Sequence, residues 1–326
     1  MGGRNPSAPD GVGEGMSRYV VATAYGGPEV LALSDEEVGP PRPDEVVVAV
    51  RAAGVNPADV KSYSGAFGTD RAQLPKRLGL EAAGVVVEVG EAARRVSVGD
   101  EVVAYRISGG YAERLRVPTA ALVPKPANLD WAEAAGLMLT GATAFHALTV
   151  AGVGQGDTVV VHGGSGGVGL MAVQLAKISG ARVIATAGGT RHDFLRGLGA
   201  EPVVYGRGLA GRIRELAPHG VDAATDLVGT DEAIDVSLEL VANRHRIVTI
   251  AGFERGAQAG INVLGGGPGA DPGTDIRNAA RPELADLASQ GRLRVFVAAR
   301  YPLDQVAEAH RQIMTGHTSG KIVLET

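Results

Sequence analysis

The residues best able to do chemistry in this 326-residue chain are Gly164-x-Gly166-x-x-Gly169, which follow the β-branched run Val159-Val-Val-His162 and open an apolar-periodic stretch ending at Lys177. The chemistry is anion binding. In this spacing the first glycine allows a tight turn, the second lets backbone approach a pyrophosphate, and the third lets a helix touch the strand. The helix N-terminus adds unpaired N–H groups and the positive end of its dipole. Ser165, Gly167 and Val168 complete the turn, so Gly164 to Gly169 is expected to hold a dinucleotide. NAD-preferring sites place an acid about twenty residues further on. Here the chain reads Thr186, Ala187, Gly188, Gly189, Thr190, Arg191 and His192. Small residues beside one fixed cation suit a ribose 2′-phosphate, and NADPH is therefore expected. The alternative is that Arg191 is a solvated residue at a helix start.

A hydride carrier needs groups that stabilise the oxyanion formed on the acceptor, so hydrogen-bond donors matter next. Asn56 and Lys61 share the segment Asn56-Pro-Ala-Asp-Val-Lys61, in which Pro57 fits a first helical position and Lys61 lies one turn on. They are the candidate catalytic pair, binding the carbonyl oxygen, with Lys61 or water supplying the proton. Alternatively Asn56 caps the turn and Lys61 is solvated. Tyr63 and Phe67 are candidates for the substrate pocket, with few other rings available in a chain that is 4% aromatic.

The elements that must position these groups follow from the pattern along the chain. From Tyr19 to about Pro126, short β-rich runs (Glu45–Arg51, Gly84–Gly90, Asp100–Tyr105) are separated by Gly, Pro and Asp, a barrel-like or sandwich-like pattern. From Trp131 the rhythm becomes strand, helix, strand, with strands expected at Thr158–His162, Arg182–Thr186, Pro202–Tyr205, Ala223–Leu227 and Arg246–Ala251. That rhythm predicts a doubly wound parallel sheet. Val168, Met171, Leu175 and Ile178 give the first helix one apolar stripe, and Gly180 is its expected left-handed cap. A last piece, Leu293–Val297, Leu303–Met314 and Gly320–Leu324, is expected to return to the first domain. The domain reading is an extension at 1–16 too small and polar to order, a β-rich catalytic domain from 17–130 and 281–326, and a Rossmann domain at 131–280. The cleft between the domains is the default ligand site. The Gly/Pro cluster Gly265–Gly273 reads as a loop or lid.

Composition narrows the function classes. The chain is 45% hydrophobic and 21% charged with net charge −5, an ordinary globular balance without the basic footprint of a nucleic-acid binder. No apolar run of membrane-spanning length and no secretion-type leader is read, so a cytoplasmic protein is expected. The absence of cysteine excludes disulfides and thiolate metal sites. The 7 histidines include no pair at i, i+4 spacing, and no metal is expected.

Several phrases in one order, Gly54-Val-Asn-Pro-Ala-Asp-Val-Lys61, Gly79-Leu-Glu-Ala-Ala-Gly84, Gly99-Asp-Glu-Val-Val-Ala104, Leu139-Thr-Gly-Ala-Thr143 and Gly316-His-Thr-Ser-Gly-Lys-Ile-Val-Leu324, resemble the medium-chain dehydrogenase/reductase superfamily, in its zinc-free quinone oxidoreductase (zeta-crystallin-like) branch. The likeness runs from about Tyr19 to the C-terminus. It implies an α/β protein, a GroES-like β-rich catalytic domain plus a doubly wound Rossmann domain, forming a homodimer and reducing small quinones with NADPH. It places Thr143 near the nicotinamide, Tyr205 beside the adenine ribose, and Leu227, Val228, Ala251, Gly252 and Phe253 along the cofactor. Tyr205 reads equally as a core or edge tyrosine. Zinc-dependent relatives carry Cys where Asn56 stands and His where Leu80 stands, so Glu81 is left as a buried paired acid or a cofactor-side group. Enone reductases share the Asn-Pro-x-Asp-x-Lys pattern, which makes reduction of a carbon–carbon double bond in an enone or alkenal the alternative. A non-catalytic NADPH-binding protein is the alternative of another class. The segment 257–280 departs from the family pattern, with the Gly/Pro cluster where an apolar strand and dimer contact usually lie.

Overall fold

The computed structural model describes residues 15–267 and 269–326. The expected N-terminal extension lies, apart from its last two residues, outside them, as does Pro268 of the Gly/Pro cluster.

The N-terminal unit is β-rich. β1 (Met16–Ala22) pairs antiparallel with β2 (Leu31–Glu37) and β4 (Lys76–Arg77). A larger mixed sheet is built on β3 (Glu45–Val55), which pairs with β5 (Glu81–Val89) and β7 (Arg114–Pro118). β6 (Glu101–Tyr105) and β8 (Leu122–Pro124) extend it beyond β5. Along β3 the side chains serve two cores, and a register shift between Val50 and Ala52 changes which face each turns to. Val46, Val48, Val50, Ala53 and Val55 fill the interior of the β-rich unit, whereas Ala52 faces the helix laid across the sheet. The short helix α1 (Pro57–Tyr63) leaves the end of β3 directly, with Pro57 at its first position.

That overlying helix, α2 (Trp131–Val150), begins with a capping box in which Asp130 accepts from Glu133 N–H and Glu133 accepts from Asp130 N–H. It is buried on most sides because it packs on β3, on β5 and on α8 (Thr274–Ser289) together. The second sheet is parallel and six-stranded. Its strands are β9 (Thr158–His162), β10 (Arg182–Thr186), β11 (Glu201–Val203), β12 (Ala223–Asp226), β13 (Ile247–Thr249) and β14 (Asn262–Val263), in the spatial order β11-β10-β9-β12-β13-β14. Helices α3 (Gly167–Ile178), α4 (His192–Gly197), α5 (Leu209–Leu216), α6 (Asp231–Leu240) and α7 (Phe253–Ala259) make the crossovers. This is the doubly wound order, reversing direction between β9 and β12. The fold is thus the expected GroES-like unit joined to a Rossmann-type unit.

Two local expectations change. α3 carries no single apolar stripe, since every residue from Gly169 to Ala176 is buried. It lies between β9 and α2 and so is covered on both flanks. The penultimate strand is not Leu293–Val297 but β15 (Val297–Pro302), because Leu293 and Val295 join the core under α2 and Arg294 is clasped by Gln174 of α3 through two backbone hydrogen bonds. After α9 (Val306–Met314), β16 (Lys321–Glu325) runs beside β15 and antiparallel to β3, so the chain does return to its first sheet. Finally, the Gly/Pro cluster is tied at its base. Leu264 bridges Asp271, with Gly265 N donating to Asp271 O and Asp271 N to Val263 O.

Candidate functional site

The glycine turn sits at the carboxyl end of β9, beside the switch point of the parallel sheet, where ligands collect in such folds. Gly163 adopts φ +77° and donates to Thr186 Oγ1 at 3.0 Å, while Gly164 donates to Thr186 O at 2.9 Å. Gly166 is the N-cap of α3. A Cβ on Gly164 would stand 2.7 Å from Ala185 Cβ, and one on Gly169 only 2.1 Å from Gly163 O. The third glycine therefore lets the helix close on the turn, and the first N–H groups of α3 open onto the space above it. Beyond β10, Thr190 and Arg191 are exposed on a short 3-10 turn that begins at Gly189, which has no neighbouring atom within 4 Å of an added Cβ. Tyr205 is 56% exposed, with its hydroxyl 3.9 Å from a Cβ built on Gly188, so it stands over the same opening rather than in the core.

The adjoining turns are braced by a residue the sequence reading did not single out. Asp226 ends β12, and its carboxylate accepts from the N–H groups of Val228 and Gly229 and from Thr249 Oγ1 at 2.6 Å. Burial holds its carboxyl above the usual range, partly offset by those donors. Thr249 Oγ1 in turn accepts from Ala251 and Gly252. Asp226 thereby fixes the backbone of Leu227, Val228, Ala251 and Gly252 along the sheet edge, and Phe253 follows as the first residue of α7. Position 226 was legible only as a polar residue ending an apolar strand.

On the facing unit, the floor of the cleft is a buried ionic cluster. Glu81 is fully buried and accepts from Lys321 Nζ at 2.8 Å, Leu139 N at 2.8 Å and Asn56 Nδ2 at 3.2 Å. Lys321 Nζ also donates to Asn56 Oδ1 at 2.6 Å and Val55 O at 3.2 Å. Asn56 Nδ2 spends its other hydrogen on Gly54 O at 3.1 Å. Both amide hydrogens of Asn56 are thus committed inside the protein. Glu81 is the buried paired acid foreseen as one of its two readings. Its partner Lys321 went unsuspected, although a lysine opening an apolar strand was visible in the Gly316–Leu324 phrase.

Lys61 differs. It is half-buried, its ammonium lies 5.1 Å from the centroid of the Phe253 ring across the cleft, and burial lowers its pKa. Among the described residues it has no carboxylate partner. Phe67 is half-buried in the segment after α1. Tyr63 is misplaced by the sequence reading. It is fully buried in the core of the β-rich unit and stacks on His310 of α9, with its hydroxyl 2.8 Å from His310 Nδ1. Its position two residues beyond Lys61 turns it to the opposite side of α1, away from open space. Below it Asp59 accepts from Tyr111 Oη at 2.9 Å and from Asn56 N and Gly79 N, yet complete burial pushes its carboxyl up to about 6.

Thr143 is buried on α2, and its hydroxyl accepts from Arg277 Nη1 of α8 at 3.2 Å. Arg277 Nε lies 3.2 Å from His146 Nδ1, and His146 Nε2 lies 3.3 Å from Asp271 of the Gly/Pro segment. Burial, with Arg277 nearby, lowers the imidazole pKa, so its neutral form is favoured. Arg277 was another omission of the sequence reading, reaching Thr143 across 134 residues.

The residues standing where zinc-dependent relatives bind metal do not suit one. Leu80 offers no donor, and Glu81 is already bound by an ammonium. Among the described residues no group of three or more His, Asp or Glu side chains is arranged to hold an ion.

Residues 42–127 match the family model for the alcohol dehydrogenase GroES-like domain, and residues 198–324 that for zinc-binding dehydrogenases. The chain is 30% identical to the quinone oxidoreductase of Homo sapiens, over 96% of this chain and 98% of that protein. It is 31% identical to the chloroplastic NADPH-dependent alkenal/one oxidoreductase of Arabidopsis thaliana, over 98% of this chain and 82% of the relative. A mycobacterial structure complexed with NADPH superposes with a TM-score of 0.81 at 31% identity, covering 95% of this chain and 100% of that one. Together with the two-unit fold and the glycine turn at its switch point, this likeness places the chain in the medium-chain dehydrogenase/reductase superfamily, in its quinone oxidoreductase branch.

Proposed function

We propose that the chain is an NADPH-dependent, zinc-independent oxidoreductase that reduces a quinone. The observation that carries the reading is an open glycine cradle, with Arg191 rather than an acid beyond the second strand, facing across the same cleft the half-buried ammonium of Lys61, which has no carboxylate partner among the described residues. The cradle fits the cofactor. Gly164 to Gly169 and the N-terminus of α3 would hold the pyrophosphate, Gly188, Thr190 and Arg191 the 2′-phosphate, and Tyr205 the adenosine side. Leu227, Val228, Ala251, Gly252 and Phe253 would line its path, with Thr143 at the reacting end. When bound, NADPH supplies the hydride.

The remaining work falls to this chain's own residues. Lys61 would donate to the acceptor oxygen as negative charge develops there, and its ammonium would pass that oxygen a proton. Half-burial makes the ammonium a readier donor by lowering its pKa. Asn56 acts through Lys321 and Glu81, holding the start of α1 and so the direction of Lys61, because its amide has no hydrogen left for a substrate. Reduction of an enone double bond is the second reading, favoured by the likeness to the Arabidopsis alkenal/one oxidoreductase and by the scarcity of aromatic rings at the cleft. On this reading the protein is a cytoplasmic homodimer with the domain limits expected from sequence.

The test is NADPH oxidation by the purified protein with 1,4-benzoquinone and, separately, with 3-penten-2-one, with identification of the organic product. Hydroquinone formation is the expected outcome, and saturated ketone would move the assignment to enone reduction. No turnover with either, despite tight NADPH binding, would leave a binding protein.

A further inference from the structure

The acceptor side of the cleft carries more positive charge than hydride transfer requires. An unbroken chain of contacts links Lys61 to it. Lys61 lies over the Phe253 ring, and Gly265 and Gly267 pack on that ring, a Cβ on Gly267 standing 2.8 Å from it. The segment returns at Asp271 to His146, and His146 meets Arg277, which holds Thr143. Two further guanidinium groups stand beside this end. Arg106 follows β6 with φ +61°, a left-handed conformation that arginine rarely adopts. Arg281 lies one turn beyond Arg277 on α8, half-buried, and donates to Ala120 O at 2.9 Å. Arg106, Arg277 and Arg281 all act on the Tyr105 phenol at the end of β6, and Arg106 repels Arg281.

Among the described residues neither half-buried Arg277 and Arg281 nor exposed Arg106 forms an ion pair, while half-buried Arg77 and Arg246 do. Of the carboxylates near this cluster, Asp271 is 56% exposed and already engages His146, and Glu81 is paired with Lys321. Like charges gathered in a partly enclosed cleft repel one another and are kept together at a cost that a bound anion would relieve.

We propose that the acceptor site takes an anionic acceptor, a quinone or enone bearing a carboxylate, with Arg277 as the carboxylate's partner and Arg106 and Arg281 supplying the surrounding field. The proposal rests on the hydride-transfer reading above and names its substrate class. Arg277 is suited to the role, since its planar fork is already oriented by Thr143 and His146, with the Tyr105 phenol beside it, at the reacting end of the cleft. The reaction balances as for a neutral acceptor: hydride reaches the acceptor carbon, a proton its oxygen or neighbouring carbon, and the carboxylate is unchanged.

The test compares (E)-4-oxopent-2-enoate with its methyl ester, and benzoquinone-2-acetate with its methyl ester, as acceptors for the intact protein with NADPH. The expected result is an advantage in kcat/KM of about tenfold or more for the acid of each pair, the size of one charge-assisted contact. The advantage should shrink as salt rises. Arg277→Gln should bring the acid-to-ester ratio toward one and Arg277→Lys should keep part of it; Arg106→Gln, at an exposed position, should lower it less. Calorimetry with 4-oxopentanoate and methyl 4-oxopentanoate reads the same site without turnover, and only the acid should bind measurably. Equal use of acid and ester, or preference for the ester, overturns the proposal and leaves the quinone reading intact. Turnover of no acceptor while 4-oxopentanoate still binds through Arg277 overturns the quinone reading and leaves the anion site. If Arg277→Gln weakens NADPH binding as much as acid binding, the arginine serves the cofactor and the proposal fails.

Discussion

Replacing Lys321 with Met should be among the most damaging single changes outside the glycine turn, and the reason is electrostatic rather than steric. The side chain is 3% exposed and its ammonium donates to Glu81, Asn56 Oδ1 and Val55 O. Without it, Glu81 remains as a fully buried carboxylate with only Leu139 N and Asn56 Nδ2 to support it. Breaking one partner of such a pair costs about 3–5 kcal/mol. At about 2–4 °C per kcal/mol for a chain of more than 150 residues, the thermal midpoint should fall by roughly 6–20 °C. Removing both charges, with Glu81→Gln and Lys321→Met together, should restore at least half the loss, since an uncharged pair of similar volume is often neutral. Urea unfolding of the two single variants, the double variant and the parent protein gives the coupling energy directly. A loss under about 1 kcal/mol for Lys321→Met, or strict additivity in the double variant, would refute the argument that Glu81 depends on this lysine.

Gly169→Ala should weaken NADPH binding at least a hundredfold by fluorescence titration, because the added carbon meets Gly163 O at 2.1 Å and must push α3 off the turn; unchanged affinity would show that the turn does not hold the cofactor. Arg191→Ala should raise the NADPH dissociation constant by about 10- to 150-fold, the loss of one hydrogen bond to a charged group, and leave that for NADH alone. Lys61→Met should lower kcat/KM by about 10²–10⁴-fold without unfolding the protein, and full activity would remove Lys61 from the chemistry. Acidification should destabilise the fold. Burial holds the His162 and His310 imidazoles at about 4, so between pH 6 and 4.5 the unfolded chain binds two more protons than the native one at these sites. Asp59, pushed up to about 6, takes back one, because its stability contribution is greatest when protonated and is lost as pH rises. At these three sites the net is one proton, or ~1.4 kcal/mol of stability lost per pH unit, and His162→Gln should remove about that contribution from the slope. An unchanged slope in the variant would mean that His162 does not titrate this way.

What could be read from the sequence divides by range. The glycine turn and the start of α1 at Pro57 depend on residues a few positions apart, and spacing exposes them. The features that were missed are contacts between distant positions. Lys321 meets Glu81 across 240 residues, and Arg277 meets Thr143 across 134. A lone lysine or arginine in a sequence looks solvated until topology buries it. Tyr63 failed for the opposite reason, since local position put it next to Lys61 and only the packing of α9 showed which side of α1 it occupies. The shift of the penultimate strand to Val297–Pro302 has the same origin, for Leu293 and Val295 are apolar because they lie under α2, not because they belong to a sheet.

The antiparallel pairing of β16 with β3 also sets an order of events during synthesis. Asn56 leaves the ribosome 265 residues before Lys321, a delay on the order of tens of seconds at typical translation rates. Throughout that interval the Ala52–Val55 end of β3 lacks its β16 partner and Glu81 has no cation. The parallel sheet, its strands contiguous in the chain from β9 to β14, can assemble while its neighbour waits. The nascent protein is therefore expected to be competent to hold nucleotide before it is competent to pass on a hydride, and its exposed β3 edge is the stretch in which a chaperone's protection matters most.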